Sequence, residues 1–501
     1  MASLSSRPTP RNVAYLAAIP LVLVIGALIS HGVPNSLLFP LLVCVGLLEA
    51  AGAVLWGIRR QQDPLSLLPL IGIFYLLAFT VGGVYFYYSG PQQQFTFDHA
   101  SMTAALGMSL LALPCLWLGY ALNPLGWLTA RARVEFLPRD VSPFAIAIPL
   151  LVIGWLARVA QVATGHYFHT ATLAEGAPAN TGATVLIKSL ATLPTLAAAV
   201  IGAVAYLGGF ARGKTLLRRS FWGLVALEAL WYFPTGQRGL VIGAAVMALV
   251  ILFYARARKI PWKLLIPVGL FLALFLFPFI AVYRGNFSES QVYQREPVPR
   301  LWVALKVVAT RSPTETLDAG LGGTFSRFND VASVATILHR GRAPIGSAPG
   351  ETLRWVLEAP IPRAVYPDKH DPGTFGNAFG RAYDVLSEDN RSVSIATTQP
   401  GELYLDFGWL GVILGMPVLG AVYRAINDFL GARSSDPGAL ALYAVSAWPL
   451  IYGLETIVVL GLVGVLKGLA VNIALLWGLA WLARTLPRFR ARFPSSARTG
   501  A

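Results

Sequence analysis

The sequence predicts an all-α polytopic membrane protein of about twelve transmembrane helices with one large outer helical loop, and three observations predict it. Hydrophobic residues make up 55% of the 501 and charged residues only 13%, more apolar surface than a single soluble core of that length can hide. Apolar runs of about 18 to 25 residues recur, long enough to cross a hydrocarbon core of roughly 30 Å as helices. The runs are continuous and rich in Leu, Val, Ala and Gly, without the alternation of barrel strands, so helices are the spanning element.

Spans are expected at residues 12–30, 36–58, 66–87, 99–121, 142–163, 182–208, 220–234, 239–255 and 263–282, then at 404–425, 438–457 and 459–483. The chain thus divides into transmembrane helices 1–9 (residues 1–282), a large extracytoplasmic loop or cap (283–403), transmembrane helices 10–12 (404–484) and a basic cytoplasmic tail (485–501). Arg7 and Arg11 precede the first run, but no small-residue cleavage site follows it, so it is read as a span and not as a signal peptide.

Basic residues orient the spans, because Lys and Arg gather in short cytoplasmic loops. Arg59 and Arg60, Arg131, Arg133 and Arg139, the group from Arg212 to Arg219, the group from Arg256 to Lys263, and Arg484 to Arg492 all fall on one side. Both termini are therefore expected in the cytoplasm. This sorting also accounts for the net charge of +15: the cations face anionic lipid, and a nucleic-acid partner, which needs one folded basic face, is not expected.

Cys44 and Cys115 lie inside apolar runs and behave as small hydrophobes. His166 and His169 are closely spaced but have no accompanying acid or cysteine, so no metal site is expected. The sequence has no nucleotide-binding loop, GxSxG or HExxH motif, and no cofactor is expected.

The loop from 283 to 403, about 120 residues, is too long for a connector. Phe325, Phe328, Val331, Val334 and Leu338 carry helical spacing, and Glu351 to Leu357 forms a second helical stretch. Pro360, Pro362, Pro367, Pro372 and Gly373 break the segment between. A small helical cap on the bundle is the expectation.

Arg238 stands in the Pro234 to Gly239 turn, the one basic residue in a short outer connection. A guanidinium there suits a phosphate or diphosphate through paired charge-assisted hydrogen bonds, and equally a lipid headgroup as a snorkelling side chain. Arg284 follows the next span and shares both readings. Lys188 and Arg158 sit inside apolar runs, where a cation must meet water or an anion. For Glu228, Glu455 and Lys467 an interhelical ion pair and a catalytic role stand level.

In the loop, Arg327 and Asp330 are three residues apart, the spacing of an ordinary surface ion pair. Arg363, His370 and Arg381 follow. Glu402 comes just after Pro400 and Gly401, where an acid is favoured by a helix N-terminus and where a general base at the membrane surface would also stand.

Taken together, Thr235 to Gly239, Tyr283-Arg284-Gly285, Phe325 to Asn329, Ile361-Pro362-Arg363, Tyr366 to Lys369 and Pro400 to Tyr404 followed by Phe407-Gly408 resemble the Wzy-type family of O-antigen and polysaccharide repeat-unit polymerases. The resemblance covers roughly the second half of the chain. It implies a fold similar to C-type integral-membrane glycosyltransferases in the bacterial inner membrane, and a reaction at the outer face on oligosaccharides carried by undecaprenyl diphosphate. A flippase and a chain-length regulator are the implied partners beside the lipid-linked substrate and the bilayer. No nucleotide sugar is implied.

That chemistry asks for cations on a leaving diphosphate and a base for the acceptor hydroxyl. Arg238, Arg284, Arg327, Arg363, Arg381, Lys188 and Arg158 are the candidates for the first role. Glu402 is the favoured base, with His370 and Asp330 behind it. An O-antigen ligase or another polyprenyl-linked glycosyltransferase fits the same loop, and a lipid-linked saccharide transporter fits the intramembrane charges.

Overall fold

The computed structural model describes residues 32–61, 63–90, 95–131, 141–165, 182–207, 214–235, 238–255, 262–276, 329–342, 350–361, 369–390, 393–431 and 435–485, with shorter pieces between them. Among the described residues the regular structure is entirely helical. Eight helices among the described residues are long and apolar enough to cross a membrane. They are α1 (Asn35–Arg59), α2 (Leu67–Ser89), α3 (His99–Leu122), α4 (Pro143–Ala163) and α5 (Ala183–Leu207), then α13 (Trp409–Leu430), α14 (Pro437–Glu455) and α15 (Val459–Thr485). This is the architecture of a multi-pass membrane protein.

Between α5 and α13 lie α6 (Lys214–Tyr232), α7 (Arg238–Ala255), α8 (Trp262–Phe271), α9 (Asp330–Arg340), α10 (Glu351–Glu358), α11 (Phe375–Ala382) and α12 (Gln399–Phe407). The expected span at 220–234 falls on α6, a helix whose Lys214, Arg218, Arg219 and Glu228 keep it out of the strongly apolar set. The expected spans at 239–255 and 263–282 are shorter apolar helices. The span expected at 12–30 and the tail at 485–501 lie almost wholly outside the described residues.

Contacts divide the chain into two compact units. The first comprises Met1–Arg131, Leu317–Asp428 and Leu450–Val463. In it α3 and α13 cross with their backbones touching: a Cβ on Gly119 would fall 1.8 Å from the Pro417 carbonyl oxygen, and one on Gly420 would fall 1.9 Å from that of Leu116. Small residues give helices in lipid this close approach, which replaces a hydrophobic driving force between them.

α9 packs along α3 and against the second half of α2. Every residue from Asp330 to Ile337 is buried, so α9 is a core helix and not a solvated one. Burying each Val or Ile side chain is worth about 1.5–3 kcal/mol over leaving it in water. Its basic end, His339 and Arg340, is clamped to the segment leading into α3: His339 Nδ1 lies 3.2 Å from Ser101 Oγ, and Arg340 bonds Thr96 Oγ1 at 3.2 Å and the Asp384 carboxylate. Cations at a helix C-terminus also favour the helix dipole.

The sequence places the start of the tenth span at 404; the structure starts α13 at Trp409. Gly408 takes a left-handed φ of +66° and ends α12, and a Cβ on Gly411 would fall 2.1 Å from the Leu403 carbonyl oxygen. The chain therefore folds back tightly between α12 and α13. Glu402 rides on a separate short helix and not on the span.

The second unit comprises Ala132–Thr316, Phe429–Pro449 and Gly464–Ala501. α5 packs on α4, α6 and α7. Gly154 meets Pro194 and Gly202 meets the Phe221 ring so closely that a side chain at either would clash, with Cβ distances of 2.3 and 2.5 Å. Val241, Leu276, Phe279 and Ile280 form a separate apolar cluster. Asp436 anchors the start of α14 by accepting from Phe136 N and Gly438 N, each at 2.9 Å.

Candidate functional site

The described part of the segment expected to form a cap lies in the first unit as four short helices, α9 to α12. Its local chemistry follows from which side chains finish each helix. Asp406, near the end of α12, accepts from the Thr352 hydroxyl and from backbone N–H groups at the start of α10, which satisfies donors that a helix N-terminus otherwise leaves open. Arg342 donates to the Leu405 and Asp406 carbonyls at 2.9 and 2.7 Å and closes the C-terminal end of α12. Lys369 does the same after α10, donating to Ile361 O at 2.6 Å.

On α10, Glu351, Trp355 and Glu358 share one face, at i, i+4 and i+7. His370 stacks on Trp355 with ring centroids 5.2 Å apart and 17° between planes. Its Nδ1 lies 3.2 Å from Glu358 Oε2, and its Nε2 lies 3.8 Å from Glu351 Oε1. A carboxylate only accepts, so Nδ1 donates to Glu358. Burial pushes the Glu358 carboxyl up, but the hydrogen bond and charge of His370 outweigh it and leave it below its usual range. The His370 side chain is 42% exposed.

Glu402 stands differently. Thr398, itself at φ +66°, caps α12 by accepting from Gly401 N at 3.1 Å, and Glu402 follows in the first turn. It is completely buried. Its Oε2 accepts from Val458 N at 2.6 Å, and its Oε1 has no hydrogen-bond partner among the described residues. Burial is the chief cause of a pKa raised from 4.5 to about 8, with the Val458 N–H opposing it. The side chain ties α12 to the turn between α14 and α15, where Thr398 N also donates to Glu455 O at 2.9 Å.

A titratable group with a raised pKa favours the folded state most at low pH. The contribution of Glu402 is complete below 4.5, falls as pH rises and is gone above about 8. Glu402→Gln keeps an acceptor for Val458 N–H and removes the titration. Thermal unfolding of the detergent-solubilised protein at pH 5 and pH 8 is expected to show a smaller drop for the variant than for the parent chain. Equal drops would mean that Glu402 does not titrate in this window.

Asp330, the third base candidate, is buried at the start of α9. Burial first, and the neighbouring Glu455 second, push it well above the usual carboxylate range. It belongs to a buried polar group in the first unit: Asp330, Glu49 and Tyr423 all lie within electrostatic reach of the Tyr75 hydroxyl, and Gln399 Nε2 donates to Tyr423 at 3.0 Å. Both Glu49 oxygens are buried without a hydrogen-bond partner.

Of the diphosphate candidates in this unit, Arg381 is on α11, held by Nε to Asn377 Oδ1 at 3.1 Å, with 22% of its side chain exposed. α11 also carries Phe375, which packs edge-on against Trp355, so Arg381 and His370 share one small hydrophobic base. Arg327 and Arg363 lie outside the described residues.

In the second unit Arg158 is fully buried. Its Nη2 bonds Glu228 Oε2 at 2.8 Å, its Nε donates to Ala191 O at 3.0 Å, and its guanidinium lies over Trp155, Trp231 and Tyr232 at 4.8, 5.0 and 5.5 Å. Thr195 donates to the same Glu228 oxygen. The geometry is that of an interhelical ion pair. Lys188 is half-buried in the last turn before Leu190. Arg238 opens α7, with its side chain outside the described set, as is all of Arg284.

Sequence reasoning passed over Glu351, Trp355 and Glu358. Their helical spacing is visible in the chain, but the partner that gives them meaning, His370, arrives through a proline-broken turn with no period. No protein-family model, curated protein or solved structure matches this chain.

Proposed function

We propose that the chain is a membrane glycosyltransferase using a polyprenyl-diphosphate-linked donor: a polysaccharide polymerase that joins undecaprenyl-diphosphate-linked oligosaccharide repeat units at the outer face of the bacterial inner membrane. The observation that carries this reading is the His370–Glu358 pair, an exposed imidazole oriented by a carboxylate on a cap between spans. That arrangement suits removal of a proton from an acceptor hydroxyl. His370, and not the enclosed Glu402, takes the role of base.

In the proposed step the acceptor oxygen bonds to the anomeric carbon of the donor saccharide, and the bond from that carbon to the diphosphate oxygen breaks. The hydroxyl proton passes to His370 Nε2, and Glu358 and Glu351 hold the resulting imidazolium. Undecaprenyl diphosphate leaves. Arg381 is the described cation within the same cap that suits the departing charge. An O-antigen ligase shares each of these steps and differs in its acceptor.

The second reading, a transporter or flippase for lipid-linked saccharides, draws on the buried group of Glu49, Tyr75 and Asp330, since ionisable residues inside a membrane bundle often line a path. One assay separates them. The purified protein in nanodiscs is given undecaprenyl-diphosphate oligosaccharide; a ladder of products spaced by one repeat unit is expected. A single product indicates a ligase. In sealed vesicles, substrate crossing the bilayer without new products overturns the enzyme reading.

A further inference from the structure

α10 is inside out for a helix facing water. Its polar side chains point into the protein: Thr352 is buried on Asp406, and Glu358 is buried against His370. Of its apolar side chains Trp355 is buried and Leu357 points away. Leu357 is 77% exposed, and just past the helix Ile361 is 38% and Val365 75% exposed. Leu353 and Leu357 lie one turn apart on the helix, and Ile361 follows just past its end. A water-facing helix has the opposite arrangement.

Exposed apolar residues continue beyond α10. α10 packs against α12 and against the first turn of α15. A Cβ on Gly350, which precedes it, would fall 2.9 Å from the ring of Phe407, the last residue of α12. From there an exposed apolar row, Trp409, Leu410, Leu414 and Val418, runs down α13, a helix apolar enough to cross the membrane. Arg354 on α10 is 68% exposed, with its Nε paired to Glu358 Oε1 at 3.2 Å one turn on. A long cationic side chain beside an apolar stripe is the pattern of a helix lying in a membrane interface, with its charge at the level of the phosphates.

We infer that the exposed apolar residues Leu357, Ile361 and Val365 are immersed in the headgroup region of the phospholipid bilayer, with Arg354 at the phosphates. The cap is thereby held against the membrane next to His370, whatever reaction His370 serves. The occupant is the bilayer itself, because exposed apolar residues continue onto α13, a helix apolar enough to cross the membrane, and are flanked by a cation that matches anionic lipid.

The test is site-directed spin labelling of the full chain in nanodiscs of phosphatidylethanolamine and phosphatidylglycerol. Cys44 and Cys115 are first replaced by alanine. Labels are then placed singly by Leu357→Cys and Val365→Cys, with Leu414→Cys as the lipid reference and Glu388→Cys, whose native side chain is 81% exposed, as the aqueous one. Collision with oxygen, which concentrates in lipid, is compared with collision with a water-soluble nickel chelate. The expected result is an oxygen-to-nickel ratio at 357 and 365 several-fold above that at 388 and close to that at 414. Ratios equal to the 388 reference overturn the inference. Labels shielded from both reagents overturn it too, because a protein surface and not lipid would then cover the face.

Discussion

Arg158→Ala is expected to lower the stability of the folded protein by about 3–5 kcal/mol, the range for removing one partner of a buried ion pair. Arg158 and Glu228 are both buried, with the guanidinium bonded to the carboxylate at 2.8 Å and enclosed by three aromatic rings. Truncation leaves the Glu228 carboxylate with only the Thr195 hydroxyl, and leaves the Ala191 carbonyl without its donor. The measurement is the thermal unfolding midpoint in detergent. Arg158→Met combined with Glu228→Met removes both charges and is expected to regain most of the loss, since a packed apolar pair avoids the cost of an isolated buried charge. If the single variant unfolds like the parent chain, the pair is not what holds α4, α5 and α6 together.

His370→Ala is expected to slow product formation by about 10²–10⁴-fold, the usual contribution of a positioned general base. The side chain is 42% exposed and makes its contacts at the cap surface, so the unfolding midpoint should move little while the rate collapses. Glu358→Gln keeps a hydrogen-bonding group beside Nδ1 but removes the charge that steadies an imidazolium, and a smaller loss is expected. The readout is the initial rate of product formation in nanodiscs, beside the unfolding midpoint of each variant. A His370→Ala protein that works at the parent rate would remove His370 from the chemistry.

The spans were legible because hydropathy is a local property: α1 to α5 and α14 to α15 stand within a few residues of the sequence reading. The break between α12 and α13 was hidden, because Gly408 looks like one more small residue in an apolar run until its left-handed φ is known. The helix through Val331 and Val334 was visible from its period, but nothing periodic says that α9 lies buried against α3.

Pairings across the sequence are the least legible class. Arg158 and Glu228 are 70 residues apart, and Glu402 and Val458 are 56 apart. Each was visible only as an ionisable residue in or beside an apolar run. For Glu402 the sequence left helix capping and catalysis level. Burial and the bond to Val458 explain why an acid at a helix start need not be exposed for chemistry. The His370 site shows the converse: a lone histidine in a proline-rich turn carries little signal, and the two glutamates that orient it come from a helix whose spacing was readable but unassigned.

The most direct test of the central proposal is the count of undecaprenyl diphosphate released per glycosidic bond formed, measured on the purified protein in nanodiscs with radiolabelled lipid-linked oligosaccharide as the sole substrate. The proposed reaction predicts one undecaprenyl diphosphate for each bond. Intact lipid-linked oligosaccharide after prolonged incubation with folded protein, with no diphosphate released, would contradict it.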